Sequence, residues 1–196
     1  LTRSDHIAWA DLASDGDVNA SLREVVACVD ALVRSVYPLA AHSPEEHELS
    51  RQRPQLSRYG ESDAFARHCD NYCPLAGDGP HCNGRWLTAV YYTSEGWSED
   101  HGGCLRLFKP QGDASSTEGE PPMPGATNAH ASATGATELP AGIEFEDDAL
   151  LDVAPLADRL LLFYSDFRCP HAVQVVGAGE PRYAVTVWFN QRRREA

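Results

Sequence analysis

The sequence predicts an α+β fold, an antiparallel sandwich or jelly roll with supporting N-terminal helices packed on one of its sheets. Two observations lead to this prediction. A helical pattern occupies the first part of the chain, and short aromatic or β-branched segments follow from about residue 57, separated by Gly, Pro, Asn and Asp. With 196 residues, 42% of them apolar, the chain is long enough to bury a core of its own.

The helical pattern lies in the segment that precedes Pro38. Ser21 and Glu24 have the spacing of a capping box, in which each side chain bonds to the backbone N–H group of the other residue. Apolar residues then recur every three or four positions, as on one face of a helix. This apolar stripe consists of Leu22, Val25, Val26, Val29, Leu32, Val33 and Val36. We therefore predict a helix that starts at Ser21, packs against a sheet and ends before Pro38.

Short strands are predicted before and after this helix, each bounded by turn-forming residues. They are residues 6–9, 56–59, 64–70, 85–93, 104–108, 159–164, 172–176 and 183–190. The polar segment 42–57 is predicted as loop or short helix because it contains Pro44 and Pro54. Residues 110–142 are rich in Pro, Gly, Ala, Ser and Thr, which predicts a flexible insertion in a single domain spanning residues 1–196.

The charge of the chain is strongly negative. It carries 29 acidic against 16 basic side chains, a formal net charge of −13. Nucleic-acid binding is not expected, because affinity for phosphates comes from clustered Lys and Arg. We expect no membrane association, because no apolar run approaches the ~20 residues of a membrane-spanning helix, and no secretory signal is recognised.

The six cysteines are predicted to be reduced thiols of a cytoplasmic or nuclear protein, because disulfide frameworks belong mainly to small secreted chains. Four potential zinc ligands, Cys69, Cys73, His81 and Cys82, are crowded in the sequence. Their spacing matches no standard zinc site. We therefore predict buried thiols and an irregular loop there.

His68-x-Asp70 is the motif with the clearest chemistry. Side chains alternate across a strand, so residues i and i+2 of the predicted strand 64–70 share a face and can hold one ion together. His171, which follows Pro170, is the leading candidate for a third ligand. Two histidines and one carboxylate on one side of an octahedral ion suit non-haem Fe(II) and oxygen chemistry. A surface histidine beside a turn at Asp70-Asn71 remains the alternative on the motif alone.

A candidate anion site lies on the last predicted strand. Arg182 precedes an alternating run in which Ala184, Thr186 and Trp188 share its face. An arginine on the metal-facing side can bind a dicarboxylate through two parallel hydrogen bonds. The phenol groups of Tyr92 and Tyr59 can add donors, whereas packing tyrosines and an arginine in a surface ion pair are the alternatives.

Taken in order, these residues resemble the Fe(II)- and 2-oxoglutarate-dependent prolyl 4-hydroxylases, and among them most closely the oxygen-sensing HIF prolyl hydroxylase (PHD/EGLN) group. The resemblance rests on His68-x-Asp70, on Pro170-His171 and on the run 182–188. Other matching stretches are residues 5–9, 67–71, 91–92, 102–108 and 158–166. The segments 71–84 and 110–142 are longer here than their counterparts in the family.

The resemblance implies a double-stranded β-helix, a jelly roll, that converts a prolyl residue of a protein or peptide to 4-hydroxyproline, with a role in oxygen sensing. It implies Fe(II) as the metal, 2-oxoglutarate and O₂ as cosubstrates, ascorbate as reductant and a monomeric enzyme. The residues to which it assigns roles are His68, Asp70 and His171 for the metal and catalysis; Arg182, Tyr92, Tyr59, Thr186 and Trp188 for 2-oxoglutarate; and Arg85 near the substrate proline.

Two other functions remain open at this point. One is a related oxygenase that acts on another protein residue or on a small molecule. The other is a metal-binding jelly-roll module without catalysis. Product identification separates the first from prolyl hydroxylation, and succinate formation separates the second.

Overall fold

Two antiparallel sheets and one α-helix form the regular structure of the chain. The structure is a computed structural model that describes residues 3–13, 17–40, 44–72, 83–110 and 148–193. The helix, α1, is Asp17–Ala40. The strands in chain order are β1 His6–Trp9, β2 His47–Arg51, β3 Gln55–Tyr59, β4 Phe65–His68, β5 Arg85–Tyr92, β6 Leu105–Phe108, β7 Ala149–Val153, β8 Leu160–Tyr164, β9 His171–Val173 and β10 Arg182–Arg193.

The larger sheet is organised around β10, the longest strand. Its strand order is β1-β3-β10-β5-β8, and β2 also pairs with β10, beyond the end of the β3 ladder. The smaller sheet has the order β4-β9-β6-β7. Every ladder in both sheets is antiparallel, as predicted.

The apolar stripe of α1 packs against the larger sheet, as its spacing predicts. Val26, Val29, Val33 and Tyr37 of the helix are buried in one apolar cluster with the central strands. The strand residues of this cluster are Trp86, Leu87, Ala89, Val185, Val187 and Phe189. Because side chains alternate along β10, its odd-numbered residues from 185 to 189 face α1, and the even-numbered ones face away from it.

The helix is longer than predicted at both ends. It begins at Asp17 rather than at Ser21, and it continues through Pro38 to Ala40. Residues 17–20 contain neither Gly nor Pro, so nothing in their sequence stops the helix upstream of the capping-box pattern. Pro38 lies in the last turn, where its missing N–H group removes one hydrogen bond and no further turn has to continue.

The prediction of more than one N-terminal helix is not confirmed. Among the described residues α1 is the single α-helix, and Pro44–Glu46 forms only a 3₁₀ turn. The polar segment that follows it, predicted as loop or short helix, is strand β2. Its single large apolar side chain, Leu49, is buried in the α1 cluster. Pairing with β10 fixes this segment as a strand, and the sequence of β2 alone carries no strand pattern.

Other strand boundaries shift in a way that affects the site. Strand β4 ends at His68, two residues before Asp70, and β9 ends at Val173.

Strand β7 was not predicted. Both of its leucines, Leu150 and Leu151, are exposed, and the strand shows no alternation of buried and exposed residues. The predicted insertion 110–142 lies outside the described residues except for Pro110. No helix in the described ranges is long and apolar enough to cross a membrane.

Two neighbouring residues of α1, one buried and one exposed, allow a direct test of how this helix packs. Val33 is 0% exposed, whereas its neighbour Leu32 is 41% exposed. We expect Val33→Ala to lower the free energy of unfolding by about 1.5–3 kcal/mol, since it removes two buried methyl groups and leaves a cavity. Leu32→Ala, the matched control, is expected to change it by less than about 0.5 kcal/mol. Urea unfolding monitored by circular dichroism measures both, and equal losses would contradict the packing described for α1.

Candidate active site

A cavity of about 310 Å³ lies between the two sheets. The even-numbered residues of β10 from Arg182 to Trp188 line its side on the larger sheet, and His68 and His171 line its side on the smaller sheet. Tyr59, Asp70 and Arg85 also face it. Of the residues predicted for the site, Tyr92 alone is not in the lining, and it lies buried with the centre of its ring 5.0 Å from the Arg182 guanidinium carbon.

The three predicted metal ligands lie together. His68 is the last residue of β4 and His171 the first of β9, and the antiparallel register places them directly opposite each other. The Asp70 carboxylate lies between them, with Oδ1 3.7 Å from His68 Nε2 and Oδ2 3.8 Å from His171 Nε2. The ligand atoms lie within 4.8 Å of one another. In the part of the chain that the structure describes, no other group of three or more His, Cys, Asp or Glu side chains comes this close.

Both imidazoles are oriented to present Nε2 to this cluster. His68 Nδ1 lies 2.8 Å from the Ala66 carbonyl oxygen, and His171 Nδ1 lies 3.0 Å from that of Cys169. A carbonyl oxygen only accepts, so each Nδ1 carries the proton and each Nε2 keeps its lone pair. Histidines that ligate metals in proteins are typically held by such a hydrogen bond at the other ring nitrogen. The residues present therefore fit a divalent metal ion.

The electrostatics of the cluster also favour metal binding. Burial alone would raise the pKa of Asp70, but the adjacent imidazoles of His68 and His171 and the hydrogen bond from the Thr88 hydroxyl hold that pKa well below its usual range. Burial, together with the nearby His68, lowers the pKa of His171 to about 4. At neutral pH the cluster therefore offers an ionised carboxylate and a neutral imidazole, which are the ligating forms of these groups.

The strand argument for Asp70 is corrected by the structure. Asp70 does not lie on β4 beside His68, because the strand ends first and Asp70 occupies a bend. Hydrogen bonds hold this bend in place: Asn83 Nδ2 donates to the Asp70 carbonyl oxygen at 2.7 Å, and the Asn71 backbone N–H donates to that of Ser165 at 2.7 Å. The His-x-Asp spacing selected two residues that the structure brings together, but alternation along a strand is not the cause of their proximity.

Arg182 is buried against two aromatic rings on the larger sheet. It is 4% exposed, and its guanidinium carbon lies 4.9 Å from the ring centre of Tyr59 and 5.0 Å from that of Tyr92. Its Nε and the Tyr92 hydroxyl are buried and have no hydrogen-bond partner among the described residues. Buried polar groups are normally paired. A buried arginine that lines a cavity, with an unpaired Nε and an unpaired phenol beside it, indicates a site for an anion.

Gly103 gives Arg182 the space that it needs. This residue has a φ of +68°, a backbone conformation that favours glycine. A Cβ at Gly103 would lie 3.1 Å from Arg182 Cδ and 2.9 Å from a methyl carbon of Val176. Gly103 therefore leaves room for the Arg182 side chain, a role that its match to the family pattern alone did not reveal.

Trp188 and Arg85 lie together farther along the cavity. The Arg85 guanidinium carbon stacks 3.8 Å from the centre of a Trp188 ring, and Arg85 Nε donates to Gln52 Oε1 at 3.3 Å. The rings of Trp9 and Trp188 lie 5.9 Å apart. Arg85 is thus held beside the Asp70 bend. One of its terminal guanidinium nitrogens lies 3.5 Å from the Asp70 carbonyl oxygen.

Sequence reasoning missed several side chains of the cavity. Phe65 stacks on His68 with ring centres 3.7 Å apart, and Arg3 lies over Phe65 while donating to Gln55 at 2.8 Å. Alternation along β3 would have found Gln55, which precedes Tyr59 by four residues on the same face. A polar residue in an otherwise apolar strand was a usable signal for Thr88. No sequence pattern near Arg3 indicates that it lines the cavity.

The described cysteines bear on two predictions: that the cysteines are reduced, and that those crowded near Cys69 are buried thiols. Cys28, Cys69, Cys104 and Cys169 are all free thiols, and burial raises the pKa of Cys69 to about 12 and that of Cys169 to about 11. The thiols of Cys69 and Cys169 are therefore protonated at neutral pH. The other three members of the crowded group, Cys73, His81 and Cys82, lie outside the described residues.

A histidine and aspartate cluster and a buried arginine that line one cavity between two sheets are the features expected of a β-sheet protein that binds a metal ion and an anion. Residues 54–190 match the family model described as the 2OG-Fe(II) oxygenase superfamily. This match covers more than half of the chain and includes every candidate site residue. The chain belongs to the 2OG-Fe(II) oxygenase superfamily.

Comparison with individual proteins is more specific than the match to the family model. Over 95% of its length the chain is 29% identical to "Hypoxia-inducible factor prolyl hydroxylase" of Caenorhabditis elegans and 29% identical to human "Prolyl hydroxylase EGLN3". It spans 20% of the first protein and 58% of the second. Among solved structures it resembles a prolyl hydroxylase from Trichoplax adhaerens in complex with a hypoxia-inducible factor peptide, with a TM-score of 0.62 and 25% identity over 96% of this chain and 64% of that one. A Pseudomonas putida prolyl-4-hydroxylase shares the fold, with a TM-score of 0.60 and 22% identity over 99% of this chain and 74% of that one.

Proposed function

We propose that this chain is a 2-oxoglutarate-dependent dioxygenase that hydroxylates a prolyl residue of a protein or peptide to 4-hydroxyproline. The observation that carries the proposal is the cavity that joins the His-Asp-His cluster to a buried arginine whose Nε is unpaired. Membership of the oxygenase superfamily and similarity to named prolyl hydroxylases support it. A double-stranded β-helix within a single domain is part of the same proposal.

In this proposal His68, Asp70 and His171 hold Fe(II). The chemistry that bound Fe(II) supplies is activation of O₂, coupled to oxidative decarboxylation of 2-oxoglutarate to succinate and CO₂. The hydrogen bonds from the two Nδ1 groups keep the imidazole planes fixed, so that each Nε2 lone pair is directed at the ion. With three protein ligands on one side, the opposite side stays open to the cavity.

Arg182 binds the distal carboxylate of 2-oxoglutarate in this proposal. Its planar guanidinium group presents two parallel donors, which match the two oxygens of a carboxylate, and the Tyr92 hydroxyl adds a third. The rings of Tyr59 and Tyr92 cover the arginine and exclude water, which strengthens the ion pair. Thr186 and Trp188 line the path from the arginine to the open part of the cavity.

Arg85 and Trp188 are proposed to contact the substrate proline. Trp188 offers an apolar ring face, and Arg85 stacked on it offers donors for a peptide carbonyl group. We also propose a role in oxygen sensing, ascorbate as reductant, a monomeric state and a cytoplasmic or nuclear location. The names of the relatives support the first of these, and the free thiols support the last.

The proposal is tested by product analysis. The protein is incubated with Fe(II), 2-oxoglutarate, O₂ and one of two peptides: a hypoxia-inducible factor degradation-domain peptide, as in the Trichoplax complex, or a collagen-like peptide. We expect peptide-dependent succinate formation and one added oxygen atom on a proline. Added oxygen on another residue would indicate a related oxygenase. Metal binding without succinate, with either peptide or a random proline-containing peptide library, would indicate a non-catalytic module.

A further inference from the structure

The position of the Asp70 carboxylate is not explained by the strand that carries His68. Asp70 lies in a bend after β4 ends, so the ladder between β4 and β9 fixes the two histidines but not the carboxylate. The backbone bonds around Asp70 fix the bend, yet they leave the side-chain torsions free. A separate contact must orient the carboxylate toward both Nε2 atoms.

That contact comes from the centre of the larger sheet. Thr88, on β5, is 1% exposed, and its hydroxyl donates to Asp70 Oδ2 at 2.6 Å. The same hydroxyl oxygen lies 2.8 Å from the hydroxyl oxygen of Ser165, which is 0% exposed and follows the end of β8. Strand β5 and the residue that follows β8 therefore present a buried pair of hydroxyl groups to Asp70 in the bend after β4.

The direction of these hydrogen bonds follows from counting protons. The Asp70 carboxylate oxygen accepts from the Thr88 hydroxyl, which uses the single hydroxyl proton that Thr88 has. Thr88 then acts as acceptor toward Ser165, and Ser165 donates. The chain of bonds runs from Ser165 to Thr88 to Asp70, and every hydroxyl proton in it is used.

Ser165 also holds the backbone beside the carboxylate. Its carbonyl oxygen accepts the Asn71 N–H at 2.7 Å, and its own N–H donates to the Trp86 carbonyl oxygen at 3.1 Å. The residue thus joins β5, the Asp70 bend and the Thr88 hydroxyl at one point. It fixes the backbone that follows Asp70 and, through Thr88, the carboxylate itself.

We propose that Thr88 and Ser165 are positioning residues that orient the Asp70 carboxylate for metal binding. The inference rests on the proposed function, because it takes Asp70 as a metal ligand. Neither hydroxyl touches the ion. Their contribution is to fix the carboxylate plane before the metal arrives, so that binding does not have to restrict the side-chain torsions of Asp70.

The test compares Thr88→Val, which keeps the side-chain shape and removes the hydroxyl, with Thr88→Ser, which keeps the hydroxyl. Co(II) binding to the full chain is measured by calorimetry, and coordination is followed by visible absorption. We expect Thr88→Val to weaken Co(II) binding roughly 10–100-fold and to change the absorption spectrum, whereas Thr88→Ser should lie within about threefold of wild type. Ser165→Ala is expected to have an intermediate effect, since Thr88 can still donate to Asp70.

A buried hydroxyl elsewhere controls for general destabilisation. Ser94→Ala removes a hydroxyl that accepts the Tyr183 N–H at 2.7 Å, and this bond does not involve Asp70. It is expected to lower the thermal midpoint of the metal-free protein but to leave Co(II) affinity within about twofold. If Thr88→Val binds Co(II) with wild-type affinity and spectrum, or if Ser94→Ala weakens binding as much, the positioning role is wrong.

Asp70→Ala in the same experiment distinguishes the two levels of the argument. If Asp70→Ala keeps Co(II) affinity, the proposed metal site itself is wrong. If Asp70→Ala loses Co(II) binding while Thr88→Val keeps it, the metal site stands and only the role of Thr88 and Ser165 is overturned.

Discussion

Replacing Asp70 with alanine is expected to abolish peptide-dependent succinate formation. The carboxylate is the only anionic group among the three candidate ligands, and two imidazoles without it hold a divalent ion poorly. We expect the dissociation constant for Mn(II) or Co(II) to rise on the order of 100-fold or more, which exceeds the ~10–100-fold cost of losing a hydrogen bond that merely supports a ligand. The wild-type protein should gain about 2.7 kcal/mol of stability at a metal concentration 100 times its dissociation constant, and the variant should gain at most about 0.4 kcal/mol at that concentration.

The control for Asp70→Ala is an aspartate whose charge is exposed. Asp152 pairs with Arg106 on the smaller sheet and lies outside the cavity lining. Asp152→Ala is expected to retain wild-type metal affinity and turnover. Asp70→Asn keeps the volume of the side chain and should still lose most metal affinity, because the charge is removed. Turnover by Asp70→Ala at the wild-type rate would show that the cluster is not the metal site.

Replacing Arg182 with glutamine is expected to weaken 2-oxoglutarate binding while the metal stays bound. The guanidinium group is buried, so its loss leaves the carboxylate of the cosubstrate desolvated and unpaired. Truncation of one partner in such a pair costs about 2 kcal/mol or more, roughly 30-fold in affinity. The measurement is titration of the Mn(II)-loaded protein with 2-oxoglutarate without oxygen, followed by tryptophan fluorescence, since Trp188 faces the same cavity.

Two further variants make the Arg182 result specific. Tyr92→Phe removes one donor and is expected to weaken 2-oxoglutarate binding by a smaller factor, about fivefold to tenfold. Arg106→Gln removes an arginine from the exposed pair with Asp152 and should leave the affinity unchanged. An Arg182→Gln protein that binds 2-oxoglutarate within threefold of wild type would exclude this arginine as the carboxylate site.

The site was predictable where short sequence patterns determine position. His68 and His171 were found from a motif and a neighbouring proline, and cross-strand pairing then placed them opposite each other. Arg182 and Trp188 were found because alternation along one long strand survives in the fold. Thr88 and Phe65 were missed, since their contacts to the ligand residues depend on how the two sheets face each other.

The fold, too, was predictable where short sequence patterns determine the structure. Most strands are short aromatic or aliphatic segments bounded by turn-forming residues, so their existence follows from local sequence. The existence of strand β2 does not, because its pairing with the end of β10 outweighs a polar composition. The bounds of α1 were misjudged because a capping-box spacing at Ser21 marks a favourable start, but does not prevent a helix from starting earlier.

The spacing between the two sheets bears on the distance between the two candidate sites. The two candidate metal-ligand histidines belong to the smaller sheet and Arg182 to the larger, and an apolar cluster that includes Val90, Leu105 and Val173 lies between the sheets. Changing the volume of a side chain in that cluster alters the gap between cation and anion sites without altering any chemical group. Interior residues that contact neither candidate site can therefore set the distance between the two sites.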